Sequence, residues 1–173
     1  MEKTIKSNVI YKGKILRLNC DDVLASNGEK VKREIIHHNG GVCVLAFYNN
    51  KIPLVKQYRY SYQEEMYELP AGKLEKGENS YDAGIRELEE EVGLKADSLT
   101  SLGVMYPSCG YTNEKIYLYK ANDVKQSKQH LDADEDITVN YFSIDEILQM
   151  IDSGEIKDAK TICLMLKYLR TIQ

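Results

Sequence analysis

The segment Gly72–Leu94, GKLEKGENSYDAGIRELEEEVGL, constrains this chain more than any other stretch. It closes with four glutamates, Glu87, Glu89, Glu90 and Glu91, next to Arg86. On a helix, Glu87, Glu90 and Glu91 stand at i, i+3 and i+4, so their carboxylates share one face. Like charges at that spacing repel, a poor choice for a helix with no other task. A divalent cation removes the repulsion, and clustered hard oxygens suit Mg²⁺, or Mn²⁺ in its place.

The helix has its own start and stop. Asn79 and Ser80 can cap its beginning, and Asp82 falls in the first turn, where the macrodipole favours an acid. Ile85, Leu88 and Val92 recur at helical spacing as the buried stripe, with Ala83 and Gly84 small enough for close packing. Gly93 follows as a stop. Upstream, Leu69-Pro70-Ala71-Gly72 reads as a strand end passing into a loop. Strand, glycine loop and acidic helix together make a cradle for metal-bound phosphate.

The whole segment resembles the Nudix hydrolase signature, G-x5-E-x7-R-E-U-x-E-E-x-G-U with U aliphatic. Gly72, Glu78, Arg86, Glu87, Leu88, Glu90, Glu91, Gly93 and Leu94 meet every fixed position. At average residue usage such a match arises by accident on the order of once in ten million chains of this size.

At 173 residues, one compact domain with a short appended element is expected. A net charge of −4 gives no basic footprint for nucleic acid. No apolar run approaches the ~18 residues of a membrane span, and MEKTIKSNVIYKGK lacks a signal-peptide core. Cys20, Cys43, Cys109 and Cys163 are scattered without metal spacing, which makes a reducing cytoplasm the default.

Strand patterns dominate the first seventy residues. Val9–Tyr11, Ile15–Val23 and Val31–His38 read as extended, the last two joined across Ser26-Asn27-Gly28. Gly41–Tyr48 is an apolar strand turned by Asn49-Asn50-Lys51 into Ile52–Tyr58. Beyond the acidic helix, Leu99–Tyr106, Ile116–Ala121 and Val139–Phe142 are strands, and Asn122 to Asp136 reads as loop. Ser143-Ile144-Asp145-Glu146 is a capping box opening a helix to about Asp152. A last helix runs from about Asp158 to Arg170. This pattern predicts a mixed β-sheet with helices on both faces, and the Nudix resemblance implies the same α/β class, an α/β/α sandwich. Residues 1–39 are expected to form an N-terminal β extension and 40–173 the Nudix domain.

Within that family, the chain is most similar to ADP-ribose pyrophosphatases, and the likeness covers nearly all of it. It rests on Lys32-Arg33-Glu34-Ile35, Val55-Lys56-Gln57-Tyr58-Arg59, Glu68-Leu69-Pro70-Ala71-Gly72-Lys73 and Pro107–Glu114. The tail adds Asp134-Glu135-Asp136-Ile137 and Ser153–Thr161. Pro107, fourteen residues beyond Gly93, fits a proline that marks this branch. GDP-mannose pyrophosphatases share much of the scaffold, so another nucleotide-sugar or a nucleoside triphosphate is the alternative substrate.

The resemblance implies hydrolysis of ADP-ribose to AMP and ribose 5-phosphate. Negative charge builds at phosphorus during displacement, and divalent cations neutralise it. Glu87 and Glu91 would be metal ligands with the Ala71 carbonyl, and Glu90 stands close enough to join. Arg86 would orient one of these carboxylates. Glu78 either anchors the loop to the helix or is exposed. In this branch the general base comes from an acidic loop; Glu135 matches best, with Asp134 and Asp136 as neighbours and Glu90 as the fallback on the helix. Arg59 and Glu68 would face the substrate, as would Arg33 from a neighbouring subunit. The family also implies a homodimer that exchanges its N-terminal strands. With 13 Tyr, 2 Phe and no Trp, the base would stack on a tyrosine or between aliphatic side chains.

Overall fold

The computed structural model describes residues 1–131 and 136–172. The chain divides into two compact units, Met1–Gly40 with Tyr106–Lys115, and Gly41–Met105 with the residues from Ile116 onward.

The first unit is an antiparallel sheet of β1 (Lys3–Lys6), β2 (Val9–Lys12), β3 (Leu16–Leu24) and β4 (Lys30–His38). β3 is its spine: it pairs with β1 near Leu24, with β2 near Asn19 and with β4 along its whole length, from Leu16↔His38 to Leu24↔Lys30. The β3–β4 turn contains Gly28 at φ 87°, a conformation that suits a residue without Cβ. The 106–115 segment joins this sheet through Ile36, whose N–H donates to the Tyr111 carbonyl at 2.7 Å. Ile5, Val9, Ile10, Tyr11 and Ile15 are each more than half exposed, so the sheet leaves apolar surface in water.

The second unit is the sandwich. β5 (Gly41–Leu45) is followed by β6 (Ile52–Arg59), β7 (Glu64–Glu68) and β8 (Ala71–Lys73). After α1 (Ser80–Val92) come β9 (Leu94–Lys95), β10 (Ser98–Met105), β11 (Ile116–Asn122), β12 (Lys125–Gln126) and β13 (Ile137–Phe142), then α2 (Ile144–Asp152) and α3 (Ala159–Leu169). The sheet order β10-β11-β5-β8 is mixed, since only β11 and β5 run parallel, and β13-β6-β7 is antiparallel throughout. The expected mixed sheet and α/β/α layering are what the chain adopts.

The layering follows from the period of two along β5. Val42 and Val44 join Leu88, Val92 and Tyr119 in a core beneath α1. Cys43 and Leu45 join Ile147, Met150, Leu164 and Met165 beneath α2 and α3. At ~25 cal/mol per Å² of apolar surface removed from water, two such cores are the dominant stabilising term.

Several local expectations needed correction. The strand expected over Gly41–Tyr48 stops at Leu45, because Asn49 and Asn50, both at positive φ, need the preceding residues for a turn closed by Tyr48 and Lys51. Leu69-Pro70-Ala71-Gly72 does not simply end a strand. β7 stops at Glu68, and Ala71 starts β8, paired to Cys43 of β5. The stretch from Asn122 contains the short strand β12, paired to β9. By contrast, the Ser143 capping box forms as read, with the Glu146 side chain accepting from the Ser143 N–H at 2.6 Å. Among the described residues no helix is long and apolar enough to cross a membrane.

Candidate functional site

α1 presents the acidic face. Asn79 supplies the N-cap, its Oδ1 accepting from the Tyr81 N–H at 2.8 Å, and Gly93 ends the helix in the left-handed conformation at φ 65°. The apolar stripe fixes which way the helix faces. Ala83, Leu88 and Val92 are buried in the core, and the Tyr81 hydroxyl accepts from the Leu99 N–H at 3.2 Å. That rotation turns Glu87 and Glu91 toward β8, where they are 8% and 3% exposed.

The contact between helix and strand is very close. A Cβ built on Gly72 would lie 1.9 Å from the Glu87 carboxyl carbon. Glycine is required here for space, since a carboxylate occupies the position where a side chain would begin. One residue earlier, the Ala71 N–H donates to Glu91 Oε2 at 2.8 Å. The signature glycine and two signature glutamates are therefore one packed object.

Arg86 gathers the remaining acids. It grips Glu78 through Nε at 2.9 Å and Nη2 at 3.1 Å, and its Nη1 reaches Glu90 at 2.7 Å and Glu87 at 2.9 Å. Glu78 Oε2 also accepts from the Glu75 N–H at 2.8 Å. The open choice for Glu78 thus resolves to the anchor, tying the 74–79 loop to the helix. Arg86 holds the Glu78 carboxyl below the usual carboxylate range. Because that pKa is depressed, the anchor is present at neutral pH and is lost as pH falls through the lowered value.

Glu68, at the end of β7, is 1% exposed. It takes a bidentate contact from Arg59, Nε to Oε1 at 2.5 Å and Nη2 to Oε2 at 2.6 Å, and a further bond from Lys160. Burial alone would push its carboxyl up, but Arg59 and Lys160 outweigh that and hold it low. Lys160 also binds Asp158, the N-cap of α3, at 2.9 Å. Thr161 Oγ1 accepts from the Leu69 N–H at 2.8 Å. Removing one partner from a buried ion pair of this kind costs about 3–5 kcal/mol. Lys160, Asp158 and Thr161 drew no role from the sequence, although D-x-x-T is an N-cap pattern and was the available signal.

The structure thus brings together Ala71, Arg86, Glu87, Glu90 and Glu91, and joins Arg59 to Glu68. Arg33 lies in the N-terminal sheet, exposed and paired with Glu2 at 2.5 Å. Glu135 and Asp134 lie outside the described residues, and Asp136 is exposed just ahead of β13. Among the described residues no three acids or histidines already converge as a metal cluster, because Arg86 stands between Glu87 and Glu90. The donor set nevertheless fits a divalent cation. Two buried carboxylates lie against one strand end, Glu87 in the space that Gly72 leaves and Glu91 at the Ala71 N–H, and all donors are hard oxygens.

An α/β/α sandwich with carboxylates on one helix, packed beneath a glycine strand end, defines a class of metal-assisted phosphohydrolase folds. Residues 37–165 match the NUDIX domain family, and the chain belongs to that family as a Nudix hydrolase. It is 41% identical over 163 residues to an ADP-ribose pyrophosphatase of Bacillus subtilis, covering 92% of this chain and 88% of that protein. It is equally identical, over 172 residues, to a methanol dehydrogenase activator of Bacillus methanolicus, covering 98% and 92%. A GDP-mannose pyrophosphatase of Escherichia coli K12 is 30% identical over 164 residues, covering 87% and 84%. A solved structure described as an ADP compounds hydrolase shares the fold at a TM-score of 0.88 and 18% identity, covering 99% of this chain and 94% of that one.

Gly72→Ala tests the helix–strand contact. The new methyl must displace the Glu87 carboxylate, so Mn²⁺ affinity read by electron paramagnetic resonance should fall at least about tenfold, with an unchanged far-UV circular dichroism spectrum. Wild-type Mn²⁺ affinity in the variant would remove Glu87 from the metal set.

Proposed function

We propose that this Nudix hydrolase cleaves the pyrophosphate of ADP-ribose, giving AMP and ribose 5-phosphate. The observation that carries the reading is the packing of Glu87 and Glu91 against Gly72 and Ala71, with the Arg59–Glu68 pair in the same unit. The names of relatives at 41% identity support it, one of them an ADP-ribose pyrophosphatase. The activator from Bacillus methanolicus is as similar, so identity alone does not choose between the two names. Every signature carboxylate is present in this chain, which favours hydrolysis over a purely regulatory role.

Glu87, Glu91 and the Ala71 carbonyl would hold Mg²⁺, or Mn²⁺, with Glu90 joining. Bound there, the cation would neutralise the charge that builds on the phosphates. Arg86 keeps the Glu87 and Glu90 carboxylates oriented. Arg59, with about a third of its side chain exposed, offers a guanidinium fork to a phosphate oxygen pair. Glu135 takes the proton from the attacking water. The free cysteines support a reducing cytoplasm as the compartment.

A substrate panel with Mg²⁺ tests the reading. ADP-ribose should be turned over to AMP and ribose 5-phosphate, and faster turnover of GDP-mannose or of a nucleoside triphosphate would replace the assignment. Glu91→Gln should lower turnover by at least ~10²-fold while the circular dichroism spectrum stays the same.

For the base, Glu135→Gln should lower kcat by roughly 10²- to 10⁴-fold with little change in KM. Asp134→Asn and Asp136→Asn should cost much less. A large defect at Asp134 or Asp136 would shift the base within the loop, and three mild variants would move it to Glu90.

The N-terminal sheet we assign to a homodimer formed by exchange of strands, with Arg33 as its contribution to substrate binding. Its exposed Ile5, Val9, Ile10, Tyr11 and Ile15 support a covered face. Light scattering at micromolar concentration should give twice the chain mass, and an active monomer would overturn the assignment.

A further inference from the structure

Glu68 is held by two cations of unlike accessibility. The Arg59 side chain is 37% exposed, whereas that of Lys160 is 15% and that of Glu68 only 2%. Arg59 approaches from the open side and Lys160 from the buried side, where its Nζ also binds Asp158. The arginine uses Nε and Nη2 on the carboxylate, which among the described residues leaves the Nη1 edge of its fork for another acceptor.

Electrostatics makes the second cation decisive. A buried carboxylate with a single partner binds that partner tightly, because nothing else offsets its charge. Arg59 would then stay locked on Glu68, and any anion arriving from solvent would compete with a full desolvated charge. A second cation that does not face solvent shares the charge and weakens the hold on the arginine. Lys160 is suited to that task, because Glu68 and Asp158 keep it protonated despite its burial. Its position is also fixed, since the same helical turn is tied to the strand end through Thr161 and the Leu69 N–H.

We propose that Lys160 is a positioning residue for substrate: by neutralising Glu68 from the buried side, it lets Arg59 turn part of its hydrogen bonding toward a diphosphate. The proposal rests on the reading of Arg59 as a phosphate ligand. It concerns a residue that does not itself touch the substrate.

The test combines a readout without substrate and one with it. In ligand-free protein, the solvent exchange of the Arg59 Nε–H, followed by ¹⁵N NMR, should slow several-fold in Lys160→Gln. The doubly neutral Glu68→Gln/Lys160→Gln variant leaves no uncompensated charge on the pair and should exchange faster than wild type. With ADP-ribose and Mg²⁺, Lys160→Gln should raise KM about tenfold while kcat falls much less, and Lys160→Arg should restore most of the affinity. In an Arg59→Lys background, Lys160→Gln should add less than about twofold to KM. Unchanged Arg59 exchange in both glutamine variants, or a full tenfold effect that survives in the Arg59→Lys background, overturns the proposal. Failure of wild-type protein to hydrolyse ADP-ribose would instead strike the substrate assignment, and the exchange measurement would still decide the role of Lys160.

Discussion

Everything at the site depends on how closely α1 approaches β8. A helix carrying Glu87 and Glu91 on its inward face must bring two carboxylates to a strand end, and the space for that of Glu87 exists only because Gly72 has no side chain. The approach is enforced from both sides. Leu88 and Val92 bury the adjacent stripe in the core beneath α1, and the Ala71 N–H closes on Glu91. Moving the helix outward to relieve the crowding would open that core, at the usual cost of a cavity in a packed interior. The apolar stripe thus sets the position of the polar one.

Such crowding concentrates negative charge, and the chain answers it with two separate cationic devices. Arg86, on the helix itself, bridges Glu78, Glu87 and Glu90 and so restrains the loop ahead of the helix as well as the acids on it. Lys160 and Arg59 perform the corresponding task at Glu68, one from within and one from the exposed side. The difference matters for chemistry. Arg86 is spent on three carboxylates and is poorly placed to release any of them, whereas among the described residues Arg59 has one carboxylate partner and that partner is shared.

The sequence made α1 legible because its signals are local. The Asn79 cap, the stripe of Ile85, Leu88 and Val92 and the Gly93 stop all lie within fifteen residues and act through the helix's own geometry. The Ser143 capping box was readable for the same reason, and so was α3, whose expected ends Asp158 and Arg170 are its caps. β7 was readable only at its end, where Leu69-Pro70 marks a strand giving way. Its sequence EEMYE is mostly charged, and the turn ahead of it uses Gln63 at φ 55° where glycine would have given a signal. That strand exists because β6 pairs with it, which is a tertiary cause. β1, β9 and β12 are short ladders with the same origin. For the candidate site, the acids on α1 could be named from spacing, but the partners of Glu68 could not. Arg59 lies nine residues before it and Lys160 ninety-two after it, and no pattern in the sequence links them.

The burial of Glu68 also separates two constraints that the sequence merges. A buried ion pair often contributes little net stability, because desolvation offsets the attraction. An apolar residue at position 68, with Lys160 and Arg59 replaced to match, could pack the end of β7 at no loss of stability. The carboxylate is therefore not explained by folding alone. What it provides is a fixed orientation for Arg59: two parallel bonds hold the guanidinium plane, and the Leu69–Thr161 bond holds the strand end that carries the carboxylate. From there the chain runs directly to Ala71 and Gly72, so the element that aims the arginine is continuous with the one that seats the helix carboxylates. The orientation of Arg59 and the room for the helix carboxylates are set by the same five residues of backbone, from Glu68 to Gly72.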